Sequence, residues 1–225
     1  KKISLFAKII ERNYDLICTK SKDDKKKFEN LFLQDALYYG NLKFNLDIKF
    51  QSRKRNNICF ASIHKFEFSK IIKIIRNLDH SLFDKIFIIP RHVQYSEKLR
   101  SMLDSELNDK IYIHNKFGDT VDFFDQSKLV FMGGSLFNHG GQNPLEALSR
   151  GCYLLTGKHI GNFKKEYYDL DKLNLASIIE TSLEEISKKI NNLITTDIQN
   201  SEVINNYFKK NTKEFFNMMD LINKC

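Results

Sequence analysis

The hydrophobic pattern of this chain is a series of short apolar runs set between longer amphipathic stretches. Ile58–Ser62 (ICFAS), Lys85–Ile89 (KIFII), Ile111–His114, Lys128–Met132 (KLVFM), Cys152–Thr156 (CYLLT) and Ala176–Glu180 (ASIIE) read as strands. Phe66–Asn77, Tyr95–Leu107, Pro144–Arg150, Phe163–Tyr168, Leu183–Leu193 and Glu202–Asn223 read as helices, while Val121–Gln126 is too short for a long one. Strands alternating with helices predict βαβ units. The fold class is therefore α/β, a Rossmann-like domain whose parallel sheet is flanked by helices. Ligands of such sheets bind at the carboxyl ends of the strands, near the point where strand order reverses. Three strand-end loops are thus candidates for the site: Pro90-Arg91-His92, Gly118-Asp119-Thr120 and Gly133-Gly134-Ser135.

Upstream the pattern is less regular. Lys1–Arg12 reads as the end of a helix, Tyr14–Thr19 as a strand, Ser21–Leu33 as a helix capped by Ser21, and Ala36–Phe44 as a strand entering a loop. A polar, basic stretch follows and ends in SRKRNN. The predicted organisation is residues 1–47 as the tail of a preceding α/β domain, 48–57 as a linker, and 58–225 as a Rossmann-like domain with a long terminal helix. The chain starts at Lys1 rather than Met, as a processed chain or a fragment would.

Composition changes this picture little. With 42% hydrophobic and 28% charged residues the chain is ordinary for a globular protein. No run is long enough to span a bilayer. The net charge of +8 reflects a lysine-rich surface or a basic face toward phosphates, acidic sugars or a membrane. No basic stripe interleaves with aromatics, so nucleic acid is not an expected partner. Cys18, Cys59, Cys152 and Cys225 form no CxxC pair and read as small buried hydrophobes, with Cys225 a free terminal thiol. The histidines lack metal-ligand spacing on one helix face, so no metal is expected.

The densest chemistry lies in Phe131–Glu146, FMGGSLFNHGGQNPLE. A strand runs into two glycine pairs and then a marked helix start: Asn143 as cap, Pro144 at the first turn, Glu146 three residues after the cap. Gly133, Gly134 and Ser135 read either as a phosphate cradle of backbone N–H groups with a hydroxyl, or as a tight turn. Glu146 reads as a capping-box carboxylate or as an acceptor for ribose hydroxyls. Arg91 could anchor a phosphate or a base edge. His64, His139, His159 and Lys158 lie in loops near the same edge, where they could meet an anionic ligand. No Ser-His-Asp or Cys-His arrangement, GxSxG or GxxxxGK[ST] is present, and no carboxylate stands out as a general base.

These stretches resemble, in order, those of the 3-deoxy-D-manno-octulosonic acid (Kdo) transferases. Gly40–Phe44 is similar to the family's GNLKF, Ala61–His64 with Glu67 to AASTHxGE, Pro90–His92 to PRH, and Gly118–Thr120 to GDT. Phe131–Glu146 resembles the strand–GGS–GGHNPLE signature, and Gly157–Phe163 resembles GPHTFNF. Four departures stand out. Gln142 replaces the family's histidine, GDTVDFF replaces GDTMGEL with a few residues missing after it, and Lys158 and Gly161 replace a proline and a phenylalanine. Fourth, most of the acceptor domain is missing from the chain.

The resemblance implies a GT-B glycosyltransferase that transfers Kdo from CMP-Kdo to a lipid A precursor in lipopolysaccharide core synthesis. It implies inversion and no metal or other cofactor. The nucleotide contacts carried over are Pro90, Arg91, Thr120, Val121, Asp122, Asn143, Pro144, Leu145 and Glu146. His64, Gly133, Gly134, Ser135, Gln142, Lys158 and His159 are placed near the phosphate and sugar. The family's catalytic glutamate, membrane anchor and lipid A site belong to its acceptor domain, of which 1–47 would be the end. The chain is then the donor-binding half, inactive alone. The full-length protein is expected at the cytoplasmic face of the inner membrane. The alternatives are a GT-B transferase or epimerase using a UDP-sugar, and a non-catalytic nucleotide-binding module.

Overall fold

The computed structural model describes residues 14, 16–32, 35–50, 55–103, 109–180, 182–198 and 201–223. The predicted Lys1–Arg12 helix, the end of Tyr95–Leu107 and Cys225 lie outside these residues. The chain divides into two compact units, one of residues 1–47 and 205–225, the other of Ile48–Ile204.

In the first unit, β1 (Cys18–Thr19) pairs in parallel with β2 (Leu37–Tyr38) across α1 (Lys22–Phe32). Ser21 caps α1: the Asp24 N–H donates to its Oγ at 3.0 Å, and that hydroxyl donates to the Asp24 carboxylate at 2.8 Å. A 3-10 turn at Leu42–Phe44 buries Phe44 edge-on against Tyr207 and Phe208, with centroids 5.5 and 5.9 Å away. Those two rings stand on the terminal helix α8 (Ser201–Ile222). The sequence pattern assigns that helix to the second domain. Its first turn, to Ile204, does belong to the second unit, whereas residues 205–225, which carry these two rings, group with 1–47.

The second unit is a six-stranded sheet. Its strands are β3 (Asn57–Ile63), β4 (Ile86–Pro90), β5 (Ile111–Ile113), β6 (Ser127–Met132), β7 (Tyr153–Gly157) and β8 (Ala176–Ile179). All pairs are parallel, and the order is β5-β4-β3-β6-β7-β8. This is the doubly wound order, with its reversal between β3 and β6. Strands covered on both faces must be apolar throughout. Accordingly every residue of β4 is buried, and Phe60 on β3 meets Phe131 on β6 with ring centroids 5.8 Å apart. On one face α2 (Phe68–Arg76) turns Ile71, Ile74 and Ile75 into a core shared with Ile186, Ile190 and Ile194 of α7 (Leu183–Thr195). The remaining helices are α3 (Ser96–Arg100), α4 (Thr120–Gln126), α5 (Leu145–Ser149) and α6 (Lys164–Lys172).

The predicted 48–57 linker is in part built into this unit. Asn57 opens β3, and the Lys49 N–H donates to the Ser149 carbonyl at 3.0 Å. The Arg55 guanidinium donates to the carbonyls of Phe124, Arg150 and Gly151 at 3.3, 2.9 and 2.8 Å. A basic residue in a polar run reads as solvated until three carbonyls converge on it from the ends of α4 and α5. Arg55→Ala would remove the ties that hold the ends of α4 and α5 together, although the Phe124 carbonyl keeps the Ser127 N–H and the Cys152 thiol, and should cost about 2 kcal/mol of stability, measured as a lower urea midpoint at unchanged slope. Cysteines 59 and 152 are buried, and burial pushes the Cys152 thiol up to about 12. Cys18 is exposed, against the expectation that it is buried.

Candidate functional site

Because the strands are parallel, the loops after β3, β4, β5, β6 and β7 all emerge at one edge of the sheet. The reversal between β3 and β6 is tightly made there. Pairing of β3 with β4 shifts register between Ala61 and Ile63, and the intervening Ser62 takes a left-handed φ of 56°. The bulge is fastened from both sides. The Gly133 N–H donates to the Ala61 carbonyl and the Arg91 N–H donates to the Ile63 carbonyl, each at 2.8 Å. A Cβ at Gly133 would lie 2.3 Å from the Ser62 carbonyl oxygen. Glycine is required here for close backbone approach rather than for positive φ.

The cradle expected of Gly133, Gly134 and Ser135 is formed but already filled. The Glu67 carboxylate, in the 3-10 turn after β3, accepts from the N–H groups of Gly134 at 2.7 Å, Ser135 at 3.1 Å and Leu136 at 3.0 Å. It also accepts from the His64 N–H at 3.0 Å. The Ser135 hydroxyl donates to the Met132 carbonyl at 2.7 Å and accepts from the Gly157 N–H at 2.9 Å. These groups therefore hold the loop rather than a ligand, which corrects the phosphate-cradle reading. The physical reason is a buried acidic side chain that already satisfies the donors.

Three histidines gather above this loop. The His64 ring lies 4.2 Å from that of His139 and 6.2 Å from that of His92, and it stacks on Phe66 at 5.1 Å. Gln142 Nε2 lies 3.0 Å from His64 Nε2, so the amide pairs with the ring nitrogen. Burial lowers the His64 pKa, followed by the nearby His139; Glu67 opposes the shift, while Arg91 and His92 add to it. The Gln142 carbonyl accepts from the buried Tyr167 hydroxyl at 3.0 Å. Residue 142 thus bridges His64, through its side-chain amide, and α6, through its backbone carbonyl.

The nucleotide candidates lie on the surrounding loops. Pro90 is the buried end of β4, and the exposed Arg91 side chain has no hydrogen bond or ion pair among the described residues. His114, at the end of β5, holds the Gly118 carbonyl with Nε2 at 3.0 Å and leaves Nδ1 buried without a hydrogen-bond partner among the described residues. Asp119 takes a left-handed φ of 59°, and Thr120, Val121 and Asp122 form the first turn of α4 with Val121 and Asp122 exposed. The Asn143 Oδ1 accepts from the Leu145 N–H at 3.3 Å, and Pro144 and Leu145 are buried. Glu146 is exposed, and its carboxylate has no partner among the described residues, so no capping box forms. Lys158 is exposed at the end of β7, and the His159 N–H donates to the Ser135 carbonyl at 3.2 Å.

Glu67, His114 and Tyr167 make buried hydrogen bonds at this edge that sequence reasoning missed. Only Glu67 carried a signal, its place in the AASTHxGE-like segment. Among the described residues no group of three or more His, Cys, Asp or Glu side chains is arranged to hold a metal ion. Among them, too, no helix is long and apolar enough to cross a membrane.

No family model matches the chain. Over 171 residues it is 33% identical to the 3-deoxy-D-manno-octulosonic acid transferase of Rickettsia felis, covering 63% of this chain and 36% of that protein. The chain is a relative of the Kdo transferases. It spans only about a third of the length of the Rickettsia transferase. Among solved structures, the C-terminal CMP-Kdo binding domain of WaaA from Acinetobacter baumannii covers 72% of this Kdo transferase relative, with a TM-score of 0.54 and 19% identity. That alignment takes in 90% of the domain. A glycosyltransferase from Rickettsia africae covers 100% of this chain and 67% of its own, with a TM-score of 0.68 and 11% identity. At such identities the likeness is one of fold, that of the GT-B glycosyltransferases.

Proposed function

We propose that this chain is the donor-binding part of a Kdo glycosyltransferase of lipopolysaccharide synthesis. It binds CMP-Kdo at the carboxyl edge of its sheet and presents the sugar for inverting, metal-independent transfer to a lipid A precursor. The general base and the acceptor site lie outside this chain, and the complete protein works at the cytoplasmic face of the bacterial inner membrane through its N-terminal part. One observation carries the reading. Arg91 and Glu146, brought to the same edge by β4 and by the loop after β6, are unpartnered among the described residues. A cation suits the nucleotide phosphate, and a free carboxylate suits the ribose hydroxyls. Arg91, Thr120–Asp122 and Asn143–Glu146 would hold the nucleotide. His64, Gln142, Lys158 and His159 would face the phosphate and the Kdo carboxylate. Gly133, Gly134 and Ser135 would support that face from beneath.

Within this scheme the residues bind, orient and neutralise charge. A cationic edge lowers the cost of holding a phosphate and a sugar carboxylate together. It also stabilises the CMP leaving group as the glycosidic bond breaks. Calorimetric titration of the chain with CMP, with UMP as control, tests the proposal. Binding of CMP with at least tenfold preference is the expected result, a difference of about 1.4 kcal/mol. A preference for UMP would transfer the chain to the UDP-sugar branch of the fold, and binding of neither would sink the donor-half reading.

A further inference from the structure

The loop after β6 presents three successive backbone N–H groups to one point, the arrangement that elsewhere captures a free phosphate. Here the occupant belongs to the chain. Glu67 is 0% exposed. Its Oε2 takes the His64 and Gly134 N–H groups, and its Oε1 takes those of Ser135 and Leu136. Each oxygen thus has two donors, and together they tie the end of β3 to the loop after β6. Its own N–H donates to the His64 carbonyl at 2.8 Å. His64 is therefore held at both backbone groups, and its ring is placed 3.0 Å from the Gln142 amide.

We infer that Glu67 is a positioning residue that acts as a built-in anion: its carboxylate fills the amide cradle after β6, excludes a ligand phosphate from it, and sets His64 and the Gly133–Gln142 loop. The consequence for the donor rests on the proposed function. A phosphate at this edge is read by side chains such as Arg91, not by the glycine-loop amides. Glutamine cannot replace Glu67, because its NH2 would face two N–H donors while only one oxygen remained to accept. Alanine leaves a carboxylate-sized hole lined by four donors.

The test uses the full 225-residue chain and both variants. Thermal unfolding of Glu67→Ala is followed in sodium formate and in sodium chloride at equal ionic strength. A saturable rise in Tm specific to formate, absent in wild type and in Glu67→Gln, is expected. If Glu67→Ala does not fold in chloride, its refolding yield in formate is the same readout. For Glu67→Gln, the His64 imidazole followed by NMR should titrate at lower pH than in wild type, because the carboxylate is the group opposing the downward pull of burial, His139, Arg91 and His92. CMP affinity should fall about tenfold. Equal response of Glu67→Ala to both salts, or wild-type His64 titration in Glu67→Gln, would overturn the assignment. Failure of wild type to bind CMP would remove the donor reading alone, since the formate and NMR arms do not depend on it.

Discussion

Gly133→Ala is expected to destabilise the second unit by about 3 kcal/mol, with a fall in Tm of roughly 6–12 °C. The added methyl would stand 2.3 Å from the Ser62 carbonyl oxygen and 2.9 Å from the Ile63 Cα. Both are backbone atoms, so no side chain can rotate away. Relief requires β3 and β6 to separate at the reversal of strand order. That would stretch the Gly133 N–H bond to Ala61 and the bonds from Gly134 and Ser135 to Glu67. Urea unfolding gives the stability, and exchange of the Gly134–Leu136 amides reports the loop. Gly118→Ala is the control. Its φ of +95° disfavours a side chain, but nothing lies within 4 Å, so its cost is backbone strain alone, about 1 kcal/mol. Equal losses in the two variants would show that the strand ends part easily.

Arg91→Ala should weaken CMP binding about 10- to 100-fold while leaving far-UV circular dichroism unchanged. The guanidinium is exposed and without a partner among the described residues, so its removal orphans nothing in the fold. On the proposed reading, what it removes is a charge-assisted hydrogen bond to phosphate, worth about 1.5–3 kcal/mol. Arg91→Lys should recover part of the loss, because the charge remains but the planar fork does not. Cytidine, which has no phosphate, should bind both proteins alike. An equal loss for CMP and cytidine would place Arg91 at the base or ribose instead. Raising ionic strength should narrow the difference between wild type and Arg91→Ala, since an exposed cation is screened.

Much of the fold was legible along the chain because its signals are local. A strand buried on both faces must be continuously apolar, so IFII, KLVFM and YLLT announce themselves. Their alternation with helices dictates a parallel sheet, and the sheet dictates which edge carries the loops. Arg91, Thr120 and Glu146 were placed at that edge by this logic together with the Kdo transferase-like motifs. The contents of the glycine loop were not legible. GGS after a strand is the same string whether its amides face a phosphate or a carboxylate from the chain, and the deciding residue lies 67 positions from Gly134. The packing of the terminal helix was not legible for a related reason. Its amphipathic spacing shows that it packs, but only the rings of Phe44, Tyr207 and Phe208 show against what. By itself the sequence determined the α/β class, the parallel sheet, the edge that carries the strand-end loops and the kinship to Kdo transferases. Only the tertiary structure decided that Glu67 fills the amide cradle, that Arg55 ties down three carbonyls, and that Arg91 and Glu146 stand unpartnered among the described residues, because hydrogen-bond partners are chosen by proximity in space.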